Sequence, residues 1–123
     1  DNADQAIAIA SAKTGAVVSD YTAAPVFFSE KNNGAHEWLI EFETLPLNLK
    51  EFTFHLDEAL KSVNSDYEAK RYKNIALREP IVHSLGIGIF NKWLKSKGKL
   101  GGQHKVTRLS NERTMIEEIL SIT

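Results

Sequence analysis

The sequence contains no cysteine, which excludes a disulfide framework, thiolate chemistry and any metal site built on sulfur. No stretch approaches 18 consecutive apolar residues, and the N-terminus lacks a basic segment followed by an apolar one. Neither a membrane span nor a secretory leader is visible. Together with the missing cysteines, this fits a reducing compartment, and the expected location is the cytoplasm. Charge of one sign is also lacking: 15 Lys and Arg stand against 16 Asp and Glu, a formal net charge of −1. That balance argues against a generally basic nucleic-acid binder. Gly-x-Ser-x-Gly, Walker A and Rossmann signatures are absent. The four histidines, His36, His55, His83 and His104, form no i, i+4 pair, so no metal ligation is expected. No internal repeat, linker or low-complexity tract interrupts the chain.

What remains is a chain of 123 residues, 42% hydrophobic and 25% charged. That supports one domain with one core, and is too short for a core plus a separate cofactor domain. Asn2 or Asp4 can cap a first helix over residues 4–13, with Ala3, Ile7 and Ala10 at helical spacing and Gly15 as its stop. From Ala16 the composition turns to Val17, Val18, Tyr21, Val26, Phe27 and Phe28. This predicts a strand, bent near Ala23 to Pro25 because proline interrupts the ladder. The polar stretch Glu30 to Ala35 holds an Asn-Gly step, a hairpin signal, so an antiparallel second strand should follow. In it Trp38, Ile40 and Phe42 alternate with Glu37, Leu39, Glu41 and Glu43, which predicts one buried face and one mainly solvated face.

Asn48 with Glu51 reads as a capping box, and Leu49, Phe52, Leu56, Ala59, Leu60 and Val63 make an apolar stripe of about 100°. Asp66 to Arg71 should add a helical turn, with Tyr67 in the core and its hydroxyl satisfied. Ile81 to Leu85, opened by Pro80 and bounded by Gly86 and Gly88, reads as a third strand. Phe90, Trp93 and Leu94 share one side of a short helix closed by Gly98. Ser110 or Asn111 caps a last helix with Met115, Ile116, Ile119 and Leu120 inward. The predicted fold is α+β, order αββαβαα, with a small three-stranded antiparallel or mixed sheet covered by helices.

One stretch between these last helices carries a chemical signal. Gly101 and Gly102 let the backbone approach a ligand closely, and Lys105 and Arg108 place two cationic heads on the loop that follows. This arrangement suits an anion. From Asn91 to Ser110 there are six cations and no acid. Phe90 and Trp93 nevertheless fall at core spacing and leave no stacking platform, so nucleic acid is not the expected partner.

Several segments resemble a known family in its order. They are Thr14-Gly-Ala-Val-Val18, Tyr21-Thr-Ala-Ala-Pro-Val26, His36-Glu-Trp-Leu-Ile-Glu-Phe42, Asn64-Ser-Asp-Tyr-Glu-Ala-Lys-Arg71 and, most specific, the run from Trp93 to Lys105 followed by Ser110. Together they look like the C-terminal domain of the auxin-responsive promoter family, the adenylate-forming acyl acid amido synthetases, in its bacterial branch. The resemblance implies that residues 1–123 are a single C-terminal domain of a larger ligase-like protein. The chain's opening at Asp1 without a methionine carries the same expectation.

The resemblance further implies a mobile domain that closes on an N-terminal adenylating domain and supports ATP-dependent carboxylate adenylation and amide formation with an amino acid. ATP with Mg2+ would belong to the full-length enzyme, and the fragment alone should be inactive. Lys105 matches the family's catalytic lysine, and Gln103 and Arg108 match the same motif, in roles that orient the loop or touch a phosphate. Gly101 and Gly102 complete the phosphate-facing loop. Thr107 departs from the family, which commonly carries proline there. The competing reading is a small α+β ligand-binding or protein-interaction module without catalytic activity.

Overall fold

The computed structural model describes residues 1–30, 32–98 and 108–123. Helix α1 (Asn2–Thr14) leads into strands β1 (Val17–Phe28) and β2 (Asn33–Thr44), followed by helices α2 (Leu49–Val63) and α3 (Ser65–Arg71). Strand β3 (Ile81–Leu85) and helices α4 (Ile89–Ser96) and α5 (Thr114–Ser121) complete the chain. Apart from α3, the extra turn foreseen behind α2, the order is the predicted αββαβαα. The sheet is mixed, with order β1-β2-β3: β1 and β2 run antiparallel, and β3 lies parallel to β2.

The helix ends follow local chemistry. Asp1, rather than Asn2 or Asp4, caps α1 by accepting the Asp4 amide, and Gly15 closes the helix at φ 73°. Asn48 caps α2 by accepting the Glu51 amide at 3.0 Å, satisfying one donor that the first turn leaves orphaned. Asn64 closes α2 and caps α3, accepting the Tyr67 amide at 3.0 Å. Neither Ser110 nor Asn111 caps α5. Arg113 holds that position without a side-chain capping bond, while the Ser110 hydroxyl accepts the Glu112 amide at 3.2 Å.

Two strand expectations change. Strand β1 runs unbroken through Pro25, and its register shifts lie instead between Val17 and Asp20. The Ala23 amide points outward, donating to the Arg108 carbonyl at 2.9 Å. Alternation therefore turns the Pro25 nitrogen outward too, to the edge where no ladder bond is lost. The Asn33-Gly34 step is not the hairpin turn: both residues pair with β1, and Asn32 supplies the positive φ of 52°. Gly34 is required by close approach, since a Cβ there would meet the Val26 carbonyl oxygen at 2.6 Å.

The larger correction concerns the second face of β2. Helices α1 and α2 cover one face of the sheet with a core that includes Ala6, Tyr21, Trp38, Ile40, Phe52 and Leu56. On the other face Leu39, Leu85, Phe90, Leu94, Ile116 and Ile119 form a second cluster under α4 and α5. Leu39 is wholly buried, and Glu37 and Glu41 are half-buried. Only Glu43 of that face stays exposed. A central strand sandwiched by helices has no solvated face, so β2 packs on both sides.

Candidate functional site

Of the residues the motif brings forward, Gly101, Gly102, Gln103 and Lys105 lie outside the described residues, as do Thr107 and His104. Arg108 is described, and with it both flanks of the segment 99–107. On the leading flank, α4 ends near Lys97, whose ammonium meets Glu118 of α5 at 2.8 Å. The Trp93 indole donates to the same carboxylate at 3.2 Å. On the trailing flank, the Ala23 amide donates to the Arg108 carbonyl, and the Ser110 amide donates to the Ala23 carbonyl at 3.0 Å. Two main-chain bonds thus fasten the chain leaving the segment to the free edge of β1.

Arg108 adds a side-chain fastening. Its guanidinium reaches the Asp4 carboxylate at 2.8 Å and Asp20 at 3.3 Å, and lies 4.8 Å from the centre of the Tyr21 ring. The Tyr21 hydroxyl donates to the same Asp4 oxygen at 2.5 Å. That bond, then the Arg108 charge, holds the Asp4 carboxyl below its ordinary range. Burial and the Asp4 carboxylate push the Tyr21 hydroxyl up to about 12. The group therefore stays a neutral donor, and α1, β1 and the trailing flank are linked through one carboxylate.

A second clamp sets α5. Glu37 accepts Arg113 at 2.7 Å and lies 2.6 Å from His83 Nε2, while Arg113 also donates to the Pro25 carbonyl at 3.1 Å. Burial works to raise the Glu37 pKa, but the Arg113 and His83 contacts outweigh it and the group is lowered. Glu41 accepts the Ser19 hydroxyl at 2.8 Å and the Phe90 amide at 3.2 Å. These glutamates, read from the pattern as solvated, orient the helices on the second face.

Sequence reasoning missed a buried ion pair. Asp57 accepts two bonds from Arg71, at 2.8 and 2.7 Å, and one from the Tyr67 hydroxyl at 2.7 Å. Burial drives the Asp57 pKa up, but Arg71 and Tyr67 outweigh it and the carboxyl stays lowered. The Tyr67 hydroxyl is pushed up, first by burial and then by Asp57. The sequence did hold a signal: Asp57 sits three residues from Leu60 on the flank of the α2 stripe, where an acid needs a cation. The nearby Lys61 reaches it only at 3.8 Å, and the true partner comes from α3.

The network backs Tyr67, whose ring stacks on His36 at 6.1 Å. Both rings line a cavity of about 350 Å³ between the N-terminus of α1, the C-terminus of α2 and the chain at Leu109 and Ser110. Trp38 also lines it, and its buried indole N–H has no hydrogen-bond partner. An unpaired buried donor costs about 1–3 kcal/mol. Burial, then Lys70, lowers the His36 pKa. Among the described residues no group of three or more His, Cys, Asp or Glu could hold a metal, and no helix is long and apolar enough to cross a membrane.

A mixed three-stranded sheet between two helical layers defines an α+β fold. The chain matches the GH3 family C-terminal domain over residues 1–114, and it belongs to that family. Its fold is similar to that of "GH3.15 acyl acid amido synthetase", with a TM-score of 0.75 and 16% identity over 98% of this chain. It is equally similar to "AtGH3.15 acyl acid amido synthetase in complex with 2,4-DB", at 0.74 and 15% over the same share. The chain spans 23% of the length of either solved protein. No curated protein matches it significantly.

Proposed function

We propose that the chain is the mobile C-terminal domain of an acyl acid amido synthetase-like enzyme. It closes on an N-terminal adenylating domain of the same polypeptide, and the whole enzyme activates a carboxylic acid with ATP and joins it to an amino acid. The observation that carries this reading is the family match over residues 1–114. The anchored flanks of the segment 99–107 support it, because a cationic group must be held in place to act on a transition state.

In this reading Lys105 is the catalytic residue. As the carboxylate attacks the α-phosphate and pyrophosphate leaves, negative charge grows on the phosphate oxygens, and a fixed ammonium stabilises it without proton transfer. Gly101 and Gly102 let the backbone come close, and Gln103 supports the loop. Arg108, already committed to Asp4 and Asp20, orients the loop rather than binding phosphate. ATP with Mg2+ belongs to the assembled enzyme.

The test is Lys105→Ala in the full-length protein. Single-turnover acyl-adenylate formation should fall roughly 10²–10³-fold with folding and ATP affinity almost unchanged. Aminolysis of preformed acyl-adenylate should suffer less. Adenylation at the unsubstituted rate removes Lys105 from the mechanism.

A further inference from the structure

The sequence has one Asn-Gly step, Asn33-Gly34, and the fold does not use it as a turn. In an unstructured chain this pair is where asparagine breaks down most readily, because glycine puts no side chain in the way when its nitrogen attacks the preceding carboxamide. Here both residues are fastened. Segment 74–78 takes the β3 side of β2 at this point, with a parallel bridge between Gly34 and Leu77. The Gly34 amide donates to the Ala76 carbonyl at 3.3 Å, and the Arg78 amide donates to the Gly34 carbonyl at 2.7 Å. Asn33 Nδ2 donates to the Asn74 carbonyl at 3.3 Å. The strap is itself anchored by the buried Leu77, whose carbonyl accepts Arg71 at 3.1 Å. Nor can the fold exchange the pair for a less reactive one, since a Cβ at Gly34 would meet the Val26 carbonyl oxygen at 2.6 Å.

We propose that Asn33 is a modification site gated by this strap: when segment 74–78 lifts, the Gly34 nitrogen closes on Asn33 Cγ and the residue ages to isoaspartate. The Gly34 amide loses its proton to solvent base, its nitrogen bonds to Cγ, and the Cγ–Nδ2 bond breaks. Nδ2 takes a proton from solvent and leaves as ammonia, which gives a five-membered succinimide. Water then opens the ring. Addition at the Asn33 main-chain carbonyl breaks its bond to Gly34 and routes the chain through Cγ as isoaspartate, while addition at Cγ gives aspartate. The closed strap blocks both ends of this step, holding the attacking N–H on Ala76 and the leaving amide on Asn74. Losing three bonds of ordinary net strength limits the opened population to roughly one in a hundred. The change is also one-way. Either product lacks the Nδ2 donor, and a carboxylate would stand where Asn33 Oδ1 is already buried without a hydrogen-bond partner among the described residues. An unpaired buried charge is strongly disfavoured, so the strap does not close again.

The chain is aged in mildly alkaline buffer, folded and in guanidinium chloride, and isoaspartate in the tryptic peptide Asn32–Lys50 is quantified by electron-transfer fragmentation. The folded chain should form it roughly 100-fold more slowly than the unfolded one. Global unfolding alone would allow less than about one part in a thousand of the unfolded rate. Asn74→Gly keeps the left-handed backbone at φ 58° but drops the carboxamide that accepts Arg71, and should speed the reaction about tenfold. Ile119→Val trims the core on the opposite face and should leave the rate within about twofold, since it does not touch the strap. Equal rates in the folded and unfolded chains overturn the proposal. So does a folded rate no higher than global unfolding allows, or an equal response of the two variants. Asn33→Asp, which mimics one product, should quicken hydrogen exchange at the Gly34 and Arg78 amides at least about tenfold. Unchanged exchange there overturns the one-way opening. None of these readouts involves ATP or Lys105, so their outcome is separate from that of the adenylation test.

Discussion

Replacing Asp57 by alanine should be among the most damaging single changes in this domain. The Asp57 and Arg71 side chains are 9% and 8% exposed, so the screening that reduces surface pairs to near zero does not apply here. The carboxylate takes two side-on bonds from the guanidinium and a third from Tyr67. Truncating it leaves Arg71 in the interior with the Asn74 side chain and the Leu77 carbonyl as remaining acceptors. Stranding one member of such a pair costs about 3–5 kcal/mol, against a total stability of about 5–15 kcal/mol for a small domain. Tyr67→Phe removes one bond to a charged acceptor and should cost about 1.5–3 kcal/mol.

The pair is coupled, so Asp57→Ala with Arg71→Ala together should cost less than the sum of the two. Urea unfolding followed by far-UV circular dichroism measures each value, read at constant slope. The pH dependence has a definite sign. The folded carboxyl lies below its ordinary 3.8, so its contribution is complete above about pH 4 and is lost as pH falls through the folded value. The gap between the unsubstituted protein and Asp57→Asn should therefore narrow in acid. A loss below about 1 kcal/mol for Asp57→Ala, or strict additivity with Arg71→Ala, refutes the reasoning.

Leu56 is wholly buried between α2 and the sheet, so Leu56→Ala should lower stability by about 2–5 kcal/mol in the same urea assay. Gly34→Ala should cost about 1–3 kcal/mol, because its Cβ meets a backbone oxygen that cannot move aside. His36 titrates below 6.5 in the fold, so its contribution is present above that pH and fades as pH falls towards the folded value. His36→Phe should flatten the thermal midpoint between pH 7 and pH 5, and an unchanged slope would clear His36 of the effect. Arg108→Ala removes exposed pairs worth about 0–1 kcal/mol each. Global stability should barely move, while hydrogen exchange at the Ser110 amide quickens as the trailing flank loosens.

Much of the fold was legible because it is written in short-range chemistry. The α2 stripe, the Asn48 cap, the Gly15 stop and the run from Ile81 to Leu85 each depend on residues within a turn or two. Periodicity and cap chemistry report such features directly. The family resemblance was also carried by the sequence, in segments whose wording the C-terminal domain match bears out over residues 1–114. Tertiary structure alone decided which faces became interior. Leu39 looked like the odd residue on a wet face until α4 and α5, from 50 residues and more along the chain, closed over it. The same long-range closure turned Glu37 and Glu41 into clamps for Arg113, His83, Ser19 and Phe90. Packing on the other face paired Asp57 more closely with Arg71 than with Lys61, and drew Arg108 across to Asp4, 104 positions away. These partners are chosen by how the layers meet and by the need to satisfy charge once water is excluded, which no local spacing in the chain encodes.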